Sequence, residues 1–412
     1  MREKIDVLFL CQYFYPEYVS SATLPLDTAK ALVKTGFSVT ALCGYPSEYN
    51  KEGNVTMEEI YEGIRIKRLK YLQLKRSNFI GRLINYFSFT FAVLLRFLSL
   101  RNYKSIIVYS NPPVLPLVAA WAKKLFRTKM IFVSYDVYPE MAYITNSISK
   151  DGLISRMMQF VNKRIYKYVN KVVVLSNEMK EYLLENRDKL VINQVVVIPN
   201  WYEDNPISDV SKSYSNEKFI SLAPNTNLIV SYFGNMGICQ DLNTILSAIR
   251  ILKDNDGIKF LFAGHGNKMD QLKKIINEEH LHNAIVYDFL HGRDFQDALN
   301  ISSCFLVSLT DGLTGLAVPS KTYSYMMAGK PVIAIIGANS DISKDLLDNN
   351  AGYTMEVGEV EKLVTSIIEL KENMKLRTDM GFNIKKVYTE KYTTEKCTTQ
   401  YVELMKKVLE AI

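Results

Sequence analysis

Short apolar runs rich in β-branched residues alternate with longer stretches of helical periodicity, and the alternation occurs twice along the chain. In the first half the runs are Val7–Cys11, Ser38–Cys43, Ile64–Arg68, Ile106–Tyr109, Met130–Ser134, Val172–Leu175 and Val195–Ile198. In the second they are Leu228–Tyr232, Lys259–Ala263, Ile285–Phe289, Cys304–Leu309 and Pro331–Ile336. A strand with one wet face alternates polar and apolar positions. Near-continuous apolarity instead predicts strands covered on both faces, hence parallel sheets with helices on either side. Between the halves, Glu203–Asn227 is polar and rich in Ser, Asn and Pro, and predicts a linker. The expected fold is α/β, with two Rossmann-like domains whose parallel sheets face one another across a cleft. Residues 1–205 form the first domain and 206–393 the second. A last helix, residues 394–412, has no strand after it and is placed to cross back to the first domain. The length of 412 residues suits such a division.

One segment departs from the pattern. Ser77–Arg101 is helix-like, with Ser77 as its N-cap. At ~100° per residue, Arg82, Asn85, Ser88, Arg96 and Ser99 fall on one narrow stripe, and most of the remainder is apolar. Arg96 interrupts the ~20 apolar residues that a membrane span needs, so the pattern predicts a helix lying in a bilayer surface. The plainer alternative is a helix buried between domains.

Charge sharpens this picture. From Gly63 through Tyr135 there is no Asp or Glu, while fourteen Lys and Arg residues give the stretch +14. The whole chain carries +7, so the rest carries −7. Such asymmetry predicts a polyanionic partner, here an anionic membrane surface. Nucleic acid is not expected, because no binding motif for it is present and the aromatics line an apolar face. Hydrophobic residues at 48% and charged ones at 23% leave material for a full core and argue against disorder. Cys11, Cys43, Cys239, Cys304 and Cys397 lie far apart without a CxxC pair, as reduced thiols of a cytoplasmic protein would. The N-terminus lacks the long apolar stretch and cleavage site of a signal peptide and reads as a first strand. His265, His280, His282 and His291 form no ligand-like cluster, so no metal site is expected.

Candidate chemistry lies where strands end. After the first strand, Gln12–Ala22 leads into a helix that stops before Gly36, and such a strand-to-helix turn offers backbone N–H groups at the cleft. It has no glycine, which argues against a dinucleotide. Asp136 and Glu140 follow a later strand, where α/β active sites sit. In the second half, Gly234-Asn235-Met236-Gly237 runs to Gln240 and Asp241 between a strand and a helix, and Gly264-His265-Gly266 ends the next strand. Both turns allow close approach to a phosphate, yet neither places a third glycine as NAD binding requires. Val318–Ala334 is the most informative stretch. It brings Ser320 and Lys321 to a helix start, where a cation runs against the dipole unless an anion lies there. Dipole, hydroxyl and ammonium together suit a diphosphate.

The order and spacing of Gln12–Glu17, Asp136–Glu140, Pro199-Asn200-Trp201, Gly234–Asp241, Gly264–Gly266 and Pro319–Ala334 resemble glycosyltransferase family four, of GT-B fold. The likeness is greatest to bacterial capsule and O-antigen transferases related to N-acetyl-fucosaminyl transferases. It implies a second domain that binds a nucleotide sugar through Gly234, Asn235, Gly237, Gln240, Gly264, Gly266, Gly292, Ser320, Lys321 and Ser324. It implies a first domain that binds the acceptor through Tyr15, Pro16, Glu17, Ser21 and Glu140, with Asp136 and Lys321 as catalytic residues. Retention of configuration without metal or other cofactor is implied too. Two glutamates usual in the family are replaced by Leu316 and Ser324, and a basic pair by Asn235 and Gln240. A changed donor or reduced activity would each follow from those replacements.

The resulting expectation is a retaining transferase that moves a sugar, such as an N-acetylated deoxy sugar, from a UDP-linked donor to a lipid-linked saccharide. It would work in surface polysaccharide assembly as a cytoplasmic protein peripheral to the inner face of the membrane. Two rivals stand beside it. A nucleotide-sugar 2-epimerase would convert donor with no acceptor present. A non-catalytic partner of an active transferase would bind nucleotide weakly or not at all.

Overall fold

The computed structural model describes residues 4–46, 55–74, 79–204, 213, 215–222 and 228–410. The chain divides into two compact units. Unit 1 comprises Met1–Asn200, Gly315–Val318 and Thr394–Ile412; unit 2 comprises Trp201–Thr314 and Pro319–Thr393. The four residues 315–318 therefore belong with unit 1 although the chain around them is in unit 2, and Trp201 to residue 205 fall in unit 2.

Unit 1 is built on eight strands: β1 (Ile5–Leu10), β2 (Val39–Gly44), β3 (Glu58–Tyr61), β4 (Ile64–Leu69), β5 (Tyr103–Tyr109), β6 (Lys129–Ser134), β7 (Lys171–Val174) and β8 (Val195–Val197). They lie in the order β3-β4-β2-β1-β5-β6-β7-β8. All neighbours are parallel except β3, which pairs antiparallel with β4 at the edge. That hairpin adds an antiparallel edge strand to the expected parallel sheet. Val7, Leu8, Phe9 and Leu10 of β1 and Ile106, Ile107 and Val108 of β5 are fully buried, which is why their sequence runs show no alternation. Each such side chain contributes ~1.5–3 kcal/mol on leaving water.

The helices of unit 1 among the described residues include α1 (Ser20–Lys34), α2 (Phe79–Leu94), α3 (Leu115–Phe126), α4 (Glu140–Ile144), α5 (Leu153–Tyr168) and α6 (Asn177–Asn186). The segment read as one helix over residues 77–101 is two. The α-helix stops at Leu94, and a 3-10 helix follows at Phe97–Asn102; Ser77 lies outside the described residues. Asn85 and Ser88 of its polar stripe turn inward, whereas Arg96 and Ser99, past the end of the α-helix, are exposed. Asn85, 3% exposed, donates to Leu74 O and accepts from Leu74 N, and the Ser88 hydroxyl accepts from Leu72 N. The exposed side carries Ile80, Phe87, Phe91, Leu95 and Leu98.

Unit 2 holds β9 (Leu228–Asn235), β10 (Ile258–His265), β11 (Ala284–Asp288), β12 (Cys304–Ser308), β13 (Val332–Ile335) and β14 (Gly352–Met355), all parallel, in the order β11-β10-β9-β12-β13-β14. Its helices are α7 (Asn243–Ile251), α8 (Met269–Glu278), α9 (Gly292–Ile301), α10 (Lys321–Ala328), α11 (Asp341–Asp348), α12 (Val360–Glu372) and α13 (Met374–Lys391). Leu228 and Val230 of β9 share one buried cluster with Ile245 and Ile249 of α7 and Leu363 and Ile367 of α12. The final helix, α14 (Thr394–Glu410), belongs to unit 1 and packs on α1.

The stretch read as a linker is only partly described, and a few of its described residues are anchored to unit 2. Phe219 is fully buried, Asn216 donates to Asp294 and Asp297 of α9, and Lys218 pairs with Asp294. All five cysteines are free thiols, four of them buried.

Candidate functional site

In an open α/β sheet, ligands bind past the carboxyl ends of the strands where the order reverses. In unit 2 that point lies between β9 and β12. The segments leaving these two strands are residues 236–242 and 309–320, and they are tied together. Thr310 N donates to Cys239 O at 2.9 Å and the Thr310 hydroxyl to Ile238 O at 3.0 Å.

The strand ends are shaped by glycine. Gly264 registers against Gly234, and a Cβ on Gly264 would stand 1.9 Å from Gly234 O. Gly264 therefore serves the β9–β10 contact itself. Gly234 has φ +99°, which a side chain rarely adopts, and a Cβ there would lie 3.7 Å from Lys321 Cε. Gly266 closes on Met236 and Asn235 in the same way. Past the turn, Gly237 N donates to Gln240 Oε1 at 2.8 Å, so Gln240 fixes the loop's own backbone.

Lys321 opens α10, with Ser320 as an exposed N-cap whose side chain makes no capping bond. Its ammonium stands 3.6 Å from the centroid of the Tyr232 ring and donates to Asn235 O at 3.1 Å. Among the described residues no carboxylate pairs with it. Desolvation by the surrounding chain holds its pKa well below the ordinary lysine range. A cation at a helix N-terminus, desolvated and without a counter-charge, is arranged for an anion. Tyr325 anchors this helix to β9: its hydroxyl donates to Phe233 O at 3.0 Å and accepts from Phe233 N at 2.6 Å. Ser324 is buried and donates to Lys321 O at 2.8 Å, which makes it part of the helix rather than of an open surface.

Sequence reasoning missed Lys268. The turn after β10 carries it back to the Gly237 loop, where its ammonium donates to Gln240 O at 2.6 Å. It supplies a cation beside the turn in which Asn235 and Gln240 are neutral. The signal was the Gly264-His265-Gly266 turn just before it, but only the strand register shows where that turn points. Gly292 begins α9 with open space around its Cα. It is joined to the other turns through His291, whose ring stacks on Phe289, which in turn meets His265 at 5.2 Å. The triplet Asp254-Asn255-Asp256, an Asp-x-Asp motif, precedes β10 at its opposite end, where Lys371 donates to Asn255 Oδ1 and Asp256 O. Among the described residues no group of three His, Cys, Asp or Glu side chains is disposed to hold a metal ion.

In unit 1, Asp136 follows β6 and forms a single bridge with Ala317, and Val137 N donates to Leu316 O at 2.8 Å. Leu316, 2% exposed, is thus a structural residue of that contact. Burial pushes the Asp136 carboxyl up to about 6. Glu140, in the first turn of α4, is paired with Arg187 at 2.7 Å. Pro16 and Glu17 are buried, Glu17 being 5% exposed, while the Tyr15 ring stacks on Tyr61 at 3.8 Å and Tyr15 O accepts from Arg68. These residues line the interior of unit 1. Ser21 lies in the first turn of α1 and is half-buried.

Residues 22–201 match the family model described as a glycosyl transferase 4-like domain, and residues 213–387 match that of glycosyl transferases group 1. A probable glycosyltransferase WbjE of Pseudomonas aeruginosa is 26% identical over 63% of this chain and 65% of its own length. The poly(ribitol-phosphate) alpha-N-acetylglucosaminyltransferase of Staphylococcus aureus is 23% identical over 55% of this chain and 46% of its own. The chain thus spans about half to two thirds of these curated relatives. Among solved structures, Anabaena Alr3699/HepE in complex with UDP superposes with a TM-score of 0.71 at 15% identity, covering 98% of this chain and all of that one.

Proposed function

The chain belongs to the family-four glycosyltransferases of GT-B fold, and from that premise we propose that it moves a sugar from a UDP-linked donor to a lipid-linked saccharide. The single observation that carries the proposal is Lys321: desolvated against Tyr232, facing the Gly234–Asn235 turn, and without a carboxylate. In this reading Lys321 and Lys268 meet the donor diphosphate without a metal, and Lys321 stabilises the charge that grows on the departing group. A UDP complex of a protein with the same fold supports a nucleotide of that kind. Asp136, with a pKa near 6, is suited to accept or donate a proton at the acceptor hydroxyl near neutral pH. Buried Leu316 and engaged Ser324 leave two polar sugar contacts unmade, which favours a donor with fewer hydroxyls, such as an N-acetylated deoxy sugar. Retention of configuration and a place in capsule or O-antigen assembly complete the reading.

No helix among the described residues is long and apolar enough to cross a membrane. The proposed route to a lipid-linked acceptor is peripheral, through α2, the 3-10 helix and α3, whose outer sides expose Ile80, Phe87, Phe91, Leu95, Leu98 and Leu125 within the acid-free stretch. The proposed location is the cytoplasmic face.

The decisive test is a screen of nucleotide sugars for release of UDP or dTDP, with and without lipid-linked saccharide. Release that requires the acceptor is expected. Conversion of donor without acceptor would show the epimerase instead. Failure of every donor, with weak UDP binding, would show a non-catalytic partner, which is the other consequence that replacement of the two glutamates allows.

A further inference from the structure

Unit 1 contains a cavity of about 590 Å³ between α5 and the end of α6. Tyr166 lines it as a buried residue, 4% exposed, and Asn162 and Arg187 are half-buried. Exposed Lys163, Arg164, Lys167 and Lys189 are also among its lining. Five cations thus share one concave surface with two carboxylates, Glu140 and Asp188. Glu140 is already taken by Arg187, whose guanidinium also donates to Tyr138 O at 3.3 Å and keeps its buried Nε–H without an acceptor. Asn162 donates to the same carbonyl at 2.5 Å, so arginine and amide are fixed in place. No acidic side chain among the described residues pairs with Lys163, Lys167 or Lys189.

The helix dipole favours Lys167 in the last turn of α5 and Arg187 at the C-cap of α6. That preference does not explain why two such ends line a common cavity, nor why Lys163 and Lys167, four residues apart on α5, repel one another there. A phosphate group would answer both, because its several charged oxygens can accept from a guanidinium, an amide and more than one ammonium together. We propose that this cavity binds a phosphate group, carried by a lipid headgroup or by a soluble or substrate-borne diphosphate. The residues that form the site all belong to unit 1, and the proposal does not rest on the donor reading.

Inorganic pyrophosphate is the probe, titrated by calorimetry into full-length protein already saturated with UDP. Binding that persists under saturating UDP is expected, and it should weaken as salt is raised. Lys163→Gln, Lys167→Gln and Lys189→Gln together should weaken it at least ~10-fold, the scale of one hydrogen bond to a charged group. These lysines are exposed, so the variant should fold, and its unchanged affinity for UDP checks that it has. Absence of pyrophosphate binding in the UDP-saturated protein, or equal affinity in the variant, overturns the proposal. Vesicles of phosphatidylcholine with phosphatidylglycerol then separate the sources. A headgroup ligand requires that pyrophosphate release the protein from them and that the triple variant bind them less. A diphosphate ligand requires that vesicle binding be alike in both proteins while pyrophosphate binding differs.

Discussion

Lys321 combines three unfavourable conditions: a positive helix end, desolvation, and no carboxylate to offset its charge. Its one strong compensation is the Tyr232 ring at 3.6 Å. A diphosphate would remove the conflict, so Lys321→Ala should weaken UDP binding by ~1.5–3 kcal/mol, the range for a hydrogen bond to a charged group. Uridine, lacking the phosphates, should bind almost unchanged; equal losses for both ligands would indicate a collapsed pocket instead. Because burial lowers the lysine's pKa and a bound anion would raise it, UDP binding should also take up protons at pH values where the free lysine is partly deprotonated. Calorimetry in buffers of different ionisation enthalpy reads that uptake, and Lys321→Ala should abolish it. Asp136 is displaced in the opposite direction, from 3.8 to about 6 by desolvation. Between those values the folded chain holds more protons than the unfolded one, so stability falls as pH rises through about 4 to 6, and the cost stays above that window. Two units correspond to at most ~3 kcal/mol. Asp136→Asn should therefore stabilise the protein by up to that amount at pH 7 and hardly at all at pH 4, read by urea unfolding. The same variant should lose ~10²–10⁴-fold in turnover if the carboxyl moves a proton. A stability gain equal at both pH values would remove the titration from the account.

The turns of unit 2 show how strand pairing makes a site that linear reading sees only in part. A Cβ on Gly264 would overlap the Gly234 carbonyl, and relief requires parting β9 from β10 beneath the Lys321 turn. Gly264→Ala should cost more than ~3 kcal/mol, toward the upper tail for single substitutions, and weaken UDP as well. Gly292→Ala, with nothing near its Cα, should cost only the strain of its φ of +57°, ~1 kcal/mol; unfolding curves of both variants compare the two. The central strands were legible because burial on both faces leaves apolar runs. Glu58–Tyr61 was not, since an edge strand paired antiparallel keeps exposed glutamates, and Gly352–Met355 is too short and mixed to show as a run. Lys321 was legible because a helix start is a local feature. Lys268 was not, because its place depends on β10 ending level with β9. Similarly, the polar stripe of α2 was visible, but not that Asn85 and Ser88 hold the 72–74 backbone and turn the apolar side outward. Lys268→Ala should weaken UDP by ~1.5–3 kcal/mol if its ammonium reaches the diphosphate. An unchanged affinity would leave it as a brace for Gln240.

Charge and exposed apolar surface converge on one part of unit 1. The acid-free stretch ends at Tyr135, yet the apolar exposure continues beyond it into α5, where Leu153 is 87% and Phe160 53% exposed. Helix α3 packs against both α5 and the 3-10 helix, and Phe97 meets Phe126 at 5.1 Å, so these elements form a continuous layer. Exposed apolar residues scattered singly are normal, but a layer rimmed by lysine and arginine is the usual mark of an interaction surface. The proposed partner is an anionic bilayer: basic residues near its surface contribute ~1 kcal/mol each, and inserted side chains add ~25 cal/mol per Å² of apolar area removed from water. The two contributions respond differently. Raising salt should weaken the first and spare the second. The protein should therefore sediment with vesicles containing phosphatidylglycerol, less with phosphatidylcholine alone, and be partly released by salt. Phe87, Phe91 and Leu95 exchanged together for serine should remove the salt-resistant fraction while leaving the fold intact, since all three are exposed. Neutralising Arg82, Arg96 and Arg101 should remove the salt-sensitive fraction. Sedimentation of both variants like the unaltered protein would show that the layer does not face a membrane.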